Sequence, residues 1–168
     1  MDVEGPKKKA LDFLIEAYQN RNHDILKDIL HPEYQPDNST ETVGHIMGFD
    51  FSPGLDKVKE RLNAINKGID NLKFEILDIL ANEDTVHIVY FMKARHIGTY
   101  LGVPATQKEF KALGLHFFKF KDGLIYRIGI IQDHYKVLLD LSKAVLDQNE
   151  EDKIQEYIDN LRKLKLTP

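Results

Sequence analysis

Near Asn71 the spacing of the apolar residues in this chain changes from a helical period to strict alternation, and a helical period returns after Asp133. Before that point, the helical period predicts helices over about residues 6–20, 22–30 and 55–67. After it, alternation predicts four strands, beginning near Leu72, Thr85, Phe110 and Leu124. A leucine-rich helix is predicted after Asp133. Helices followed by consecutive strands predict the α+β class, with a curved antiparallel sheet covered by the N-terminal helices.

Turn residues between the strands support antiparallel hairpins, because parallel strands would need crossover helices between them. Residues 33–53 carry several prolines and glycines without a clear period, and we expect a long loop there, with or without a short hairpin. If residues 121–123 form a three-residue loop in the last hairpin, His116 pairs with Ile128. That register leaves Ile130 on the same face of the sheet as His116. A two-residue loop would place the two on opposite faces.

Both faces of the middle strands are apolar, which predicts that both faces are covered. In the strand that begins near Phe110, Phe118 shares one face with His116, while Leu115 and Phe117 share the other. The helices of one chain can cover one face. We therefore expect a homodimer through the other face, unless the C-terminal helix covers it.

Composition excludes several classes of protein. A net charge of −4 argues against a nucleic-acid partner, and no apolar run is long enough to cross a membrane. Cysteine is absent, and the first residues do not have the pattern of a signal peptide, so we expect a soluble, cytoplasmic protein. The seven histidines show no closely spaced ligand pair, so no metal is expected.

The chain divides into a pocket domain over residues 1–146 and an acidic linker with a final helix over residues 147–168, which we expect to pack on that domain. Asn149 and the acidic residues after it are typical of a helix start. A final helix of this kind also leaves open a role as a protein–protein interaction module.

Three segments in this order resemble a known family: residues 95–106 with their glycines and proline, Gly114 to Phe118, and Asp122 to Ile125 leading to Asp133. Together they are similar to the SnoaL-like polyketide cyclases, a branch of the nuclear transport factor 2-like superfamily of cone-shaped α+β folds. The resemblance covers roughly residues 8–142. It implies a pocket for a small molecule and an intramolecular aldol closure that uses neither metal nor organic cofactor.

In that family an aspartate acts as the acid/base group, and a histidine lies close to it. Carried over by position, the histidine falls on His116 and the aspartate falls on Ile130. Asp133 is expected to cap the following helix rather than replace the missing carboxylate. Gln132 shares a face with Ile130 and can polarise a carbonyl, but an amide does not accept a proton at neutral pH.

The candidate site therefore centres on His116 as base or hydrogen-bond donor, although a neutral core histidine is an equal alternative. His96 is either a ligand contact or a histidine bonded to the backbone at a strand end. The remaining residues expected in the pocket wall are Tyr34, Tyr90, Met92, Phe118, Tyr126, Ile128, Ile130 and Gln132. Two functions follow: a cofactor-independent cyclase or isomerase for an apolar carbonyl compound, or a dimeric binding module without the cyclase carboxylate.

Overall fold

A computed structural model describes residues 3–37 and 51–146 of the chain. Helix α1 (Glu4–Asp12) continues as a π-helical segment (Phe13–Gln19), and a short 3₁₀ turn (His23–Ile25) leads into α2 (Leu26–Ile29). Strand β1 (Leu30–Pro36) and helix α3 (Leu55–Gly68) follow. The remaining elements are β2 (Ile69–Ala81), β3 (Thr85–His96), β4 (Glu109–Lys121), β5 (Leu124–Gln132) and α4 (His134–Leu146).

The five strands form one sheet in the order β1-β5-β4-β3-β2. Neighbouring strands from β2 to β5 are antiparallel, as the turn residues predicted, and the α+β class is confirmed. Strand β1 is a correction, because it lies partly in the segment predicted as loop and pairs in parallel with β5. Its two prolines, Pro32 and Pro36, break the alternation expected of a strand. Proline is tolerated there because β1 is at the edge of the sheet.

The β4–β5 hairpin has the shorter of the two turns that the sequence left open. Asp122 and Gly123 form a two-residue turn, both with positive φ, and Lys121 pairs with Leu124. A bulge at Tyr126 then shifts the register by one residue. His116 consequently pairs with Ile130, not with Ile128. The two-residue turn alone would place His116 and Ile130 on opposite faces, but the bulge compensates, and the two residues share one face.

One face of the sheet is packed against the helices and the other is open in the described chain. On the inner face, β3 and β4 alternate buried residues along almost their whole length, from Val86 to His96 and from Phe110 to Phe120. The outer face leaves four large apolar side chains between 47% and 63% exposed: Leu77, Leu80, Leu113 and Ile131. Within residues 3–37 and 51–146, the apolar outer face of the sheet therefore has no covering element.

Helix α3 and the turn before β4 meet at a close backbone contact. Gly98 donates its N–H to the carbonyl of Gly68, at 3.0 Å. A Cβ at Gly98 would lie 2.2 Å from the carbonyl oxygen of Lys67, so no larger residue fits without backbone movement. This contact fixes the C-terminal end of α3, whose apolar side then faces the inner surface of the sheet.

Within residues 3–37 and 51–146, no helix is long and apolar enough to cross a membrane. The predicted C-terminal linker and helix over residues 147–168 lie outside the described residues. The proposed division of the chain after residue 146 therefore stays a prediction.

Candidate functional site

A cavity of about 610 Å³, including the part open to solvent, lies between the helices and the inner face of β4 and β5. Its wall is mainly apolar. Aromatic side chains come from the N-terminal helix, β1 and two loops, and aliphatic ones come from α3 and β5. The apolar lining residues are Phe13, Tyr18, Tyr34, Phe51, Val58, Leu62, Ile65, Tyr100, Ile128 and Ile130. The polar ones are Arg61, His116, Gln132 and His134.

His116 lies in this wall, 4% exposed and enclosed by aromatic rings. Its ring centroid lies 5.4 Å from that of Tyr90, 5.8 Å from that of Phe118 and 6.2 Å from that of Phe13. Burial disfavours the charged imidazolium and lowers the pKa of His116 to about 3. Its Nδ1 is buried and has no hydrogen-bond partner among the residues that the structure describes. His116 is therefore neutral at physiological pH.

Glycine makes room for the aromatic neighbours of His116. Tyr90 is fully buried and lies across Gly114, where a Cβ would come within 2.5 Å of Tyr90 Cζ. A larger residue at Gly114 would displace the Tyr90 ring. Gly114 thus leaves the space that the Tyr90 ring occupies beside His116.

Beside His116 the strand β5 presents an apolar and an amide side chain. Ile130 pairs directly with His116, and Gln132 pairs with Gly114 one step along the same face. The Gln132 Nε2 atom lies 3.6 Å from Met92 Sδ, a weak contact. Among the described residues that line the cavity, none is a carboxylate.

On the α3 side, Arg61 and Tyr34 bring hydrogen-bonding groups into the wall. Arg61 Nη2 donates to the hydroxyl oxygen of Tyr34 at 3.4 Å, and Nη1 donates to the carbonyl of Ser52 at 3.3 Å. The guanidinium also lies 4.7 Å from the ring centroid of Phe51. Burial raises the pKa of Tyr34 to about 12, although neighbouring Arg61 acts in the opposite direction. Tyr34 is consequently a protonated phenol at physiological pH.

The first residues of α4 close one end of the cavity. Asp133 Oδ1 accepts a hydrogen bond from the backbone N–H of Lys136 at 2.9 Å, which confirms that Asp133 caps this helix. His134 lines the cavity, and burial lowers the pKa of its imidazole. The Nε2 atom of His134 is buried without a hydrogen-bond partner in the described chain.

The structure places the residues expected in the pocket in three groups. Tyr34, His116, Ile128, Ile130 and Gln132 line the cavity. A second group is buried against it without lining it: Tyr90, Met92 and Phe118. The third group, His96 and Tyr126, lies elsewhere.

The two outlying residues have clear structural surroundings. His96 is buried at the end of β3, where its Nδ1 lies 3.0 Å from Thr106 Oγ1 and accepts the backbone N–H of Thr106. Tyr126 occupies the bulge, with its ring edge-on to His31 and near Lys121. The bulge takes Tyr126 out of the strict alternation on which its expected position depended.

Sequence reasoning missed Arg61 and His134, along with Tyr18 and Tyr100. Arg61 follows Val58 by three residues on the apolar side of α3, so an arginine within an apolar helical stripe was the available signal. Tyr100 lies in the turn between β3 and β4, where no period predicts orientation. The described residues contain no cluster of three potential metal ligands among His, Asp and Glu.

In this fold, helices cover a curved sheet and an apolar cavity lies between the two layers. Solved structures of other proteins have a similar fold. TsrD from Streptomyces laurentii superimposes with a TM-score of 0.70 at 20% identity, covering 84% of this chain and 97% of TsrD. A SnoaL-like polyketide cyclase from Agrobacterium tumefaciens gives a TM-score of 0.66 at 14% identity, covering 84% and 99%. At these identities the likeness concerns the fold alone.

The family follows from the sequence. The family model for SnoaL-like polyketide cyclase matches residues 8–141. A curated relative, the aklanonic acid methyl ester cyclase AcmA of Streptomyces galilaeus, is 25% identical over 117 residues, which are 70% of this chain and 77% of AcmA. The chain belongs to the SnoaL-like polyketide cyclase family, as the resemblance of its motifs predicted.

Proposed function

We propose that this protein binds a small, apolar carbonyl compound in the cavity and polarises its carbonyl group by a hydrogen bond from neutral His116. The observation that carries the proposal is the enclosure of His116 among aromatic rings in the cavity wall. A neutral imidazole still donates one N–H. In an apolar site such a bond is stronger than in water.

The surroundings of His116 favour a role as hydrogen-bond donor over a role as general base. A general base works best with a pKa near the operating pH. The pKa of His116, at about 3, is far below that range. The position that would carry the family's carboxylate is occupied by Ile130, directly beside His116.

We therefore favour the ligand-binding form of the proposal over the cyclase form. The cyclase form, acid/base cyclisation or isomerisation without a cofactor, is supported by family membership and by AcmA, which is named for a methyl ester substrate. It requires a group that removes the C–H proton, and no carboxylate lines the described cavity.

Titration with 2-acetylnaphthalene, an apolar aromatic ketone, tests the binding proposal. His116→Leu removes the proposed donor from the cavity wall and is expected to weaken binding about two- to ten-fold, as for loss of one neutral hydrogen bond. The matched control is His87→Leu, a histidine of β3 on the outer face of the sheet. Equal affinity of wild type and His116→Leu, measured by calorimetry, would remove the assigned role of His116.

We also propose that the protein forms a homodimer through the outer face of the sheet. The exposed apolar side chains there, Leu113 and Ile131 among them, support this proposal. A double variant with Leu113→Lys and Ile131→Lys is expected to be monomeric, whereas the wild type is dimeric in light scattering. Leu139→Lys is the control, because Leu139 is 50% exposed and belongs to α4, not to the sheet. A monomeric wild type would contradict the dimer and favour coverage by the C-terminal segment.

A further inference from the structure

Helix α4 exposes large apolar side chains on the side that faces away from the core. We propose that residues 150–164, the C-terminal segment, form a helix that packs antiparallel on this side of α4, so that the two helices make a hairpin. The segment lies outside the described residues, and its helix is a prediction from the sequence. This inference is independent of the ligand and of the proposed binding function.

The exposed apolar side chains of α4 form a stripe along the helix, at positions 135, 138, 139 and 142. Tyr135 is 72% exposed and Leu139 is 50% exposed. Leu138 is partly buried against the core, and Ser142 continues the stripe with a hydroxyl that has no hydrogen-bond partner in the described chain. Val137, on another side of the helix, is fully buried. Helix α4 therefore has two apolar sides, and the structure describes what covers one of them.

The apolar residues of the C-terminal segment repeat the spacing of this stripe. Successive stripe positions are three, one and three residues apart, and the same separations recur in Ile154, Tyr157, Ile158 and Leu161. Such spacing places all four side chains on one side of a helix. Because the spacing reads the same in both directions, an antiparallel hairpin aligns all four positions. The facing pairs are Tyr135 with Leu161, Leu138 with Ile158, Leu139 with Tyr157 and Ser142 with Ile154.

The connection between the two helices suits a hairpin. All four facing pairs share one midpoint, Gln148, which lies in the centre of residues 147–149 between the end of α4 and Glu150. Antiparallel helices are commonly joined by loops of about two to five residues. At about 1.5 Å per residue, the C-terminal segment makes a helix about 22 Å long, and the 13 residues of α4 make one of about 20 Å. The segment can therefore run along the whole of α4.

This arrangement assigns the C-terminal segment to α4 rather than to the outer face of the sheet. The apolar residues of the outer face follow the two-residue period of strands, whereas the stripe on α4 has the helical spacing of the segment itself. The outer face then remains free for the proposed dimer. Since the family model ends at residue 141, the hairpin is an addition of this chain to the family's fold.

Cysteine cross-linking tests the hairpin directly, because the chain has no cysteine of its own. Leu139→Cys with Tyr157→Cys places two thiols at a facing pair, where packed helices bring the Cα atoms close enough for a disulfide. The matched control is Asp140→Cys with Tyr157→Cys, because Asp140 is the next residue and is exposed on the polar side of α4. Mild oxidation of the full chain is expected to give at least about ten-fold more intramolecular disulfide in the facing pair than in the control. Non-reducing gel electrophoresis and the masses of tryptic peptides measure the yields.

The contrary outcomes are distinct. Equal disulfide yields in the facing pair and the control would overturn the hairpin, as would a disulfide that joins two chains and appears as a dimer on the gel. Leu113→Cys with Tyr157→Cys tests the outer face of the sheet, and preferential oxidation of that variant would place the segment there instead. Tyr135→Cys with Leu161→Cys is a second facing pair, used if circular dichroism shows that the first does not fold. Failure of a folded facing pair to oxidise within the chain would also overturn the proposal.

Discussion

Acidification from about pH 7.5 to about pH 4.5 is expected to lower the free energy of unfolding of wild type by about 3 kcal/mol more than that of His116→Leu. The cause is the buried imidazole of His116, whose pKa falls from an ordinary 6.5 to about 3 in the folded protein. Below pH 6.5 the unfolded chain gains a proton on His116 that the folded protein takes up only near pH 3. The contribution of His116 to the free energy of unfolding is therefore fully present above pH 6.5. It is lost progressively as the pH falls from 6.5 to about 3.

Urea unfolding of both proteins at the two pH values measures this difference. Other groups that titrate in acid, such as Asp70, whose pKa is lowered by Arg95, are present in both proteins. Their contributions cancel in the comparison. Parallel losses of stability in wild type and His116→Leu would show that the His116 imidazole is protonated in the folded protein, contrary to its burial.

A carboxylate introduced at position 130 is expected to give the protein a proton-transfer activity that the wild type lacks. Ile130 pairs with His116 and lines the cavity, so Ile130→Asp places a carboxylate beside the donor that would stabilise an enolate. Burial among apolar side chains raises the basicity of such a carboxylate. We expect exchange of the methyl protons of 2-acetylnaphthalene with D₂O to accelerate about a hundred-fold over wild type, the lower end for general base catalysis.

The matched control for this experiment is Ile130→Asn, because the asparagine side chain has nearly the same shape as aspartate but carries no charge. Its exchange rate should equal that of wild type, which in turn should equal that of buffer. Rapid exchange by wild type that His116→Leu abolishes would contradict the ligand-binding form and support the cyclase form. Proton NMR of the ketone methyl group follows the exchange directly.

Much of the fold could be predicted because the relevant signals are local. Alternation over β3 and β4 directly reports which residues face the helices, and the structure confirms that His116 and Phe118 share the buried face. Strand β1 could not be predicted in this way. It is held by parallel pairing to β5, almost a hundred positions later in the chain, and its prolines disrupt the local pattern.

The site was harder to predict than the fold because a few irregular positions decide it. The bulge at Tyr126 changes the partner of His116 and takes Tyr126 itself out of the expected alternation, and nothing in the alternation of β5 indicates the extra residue. Arg61 belongs to the wall because α3 turns its apolar side toward the sheet. A charged residue within that stripe could have been noticed, but its contact with Tyr34 depends on the unpredicted strand β1.

The most direct test of the central claim is the ¹³C chemical shift of the carbonyl carbon of 2-acetylnaphthalene bound to the protein. A hydrogen bond to the carbonyl oxygen withdraws electron density from this carbon and moves its resonance downfield. The account predicts that the bound ketone resonates downfield in wild type relative to His116→Leu, with His87→Leu unchanged from wild type. The same resonance position in wild type and His116→Leu would contradict a carbonyl ligand polarised by His116.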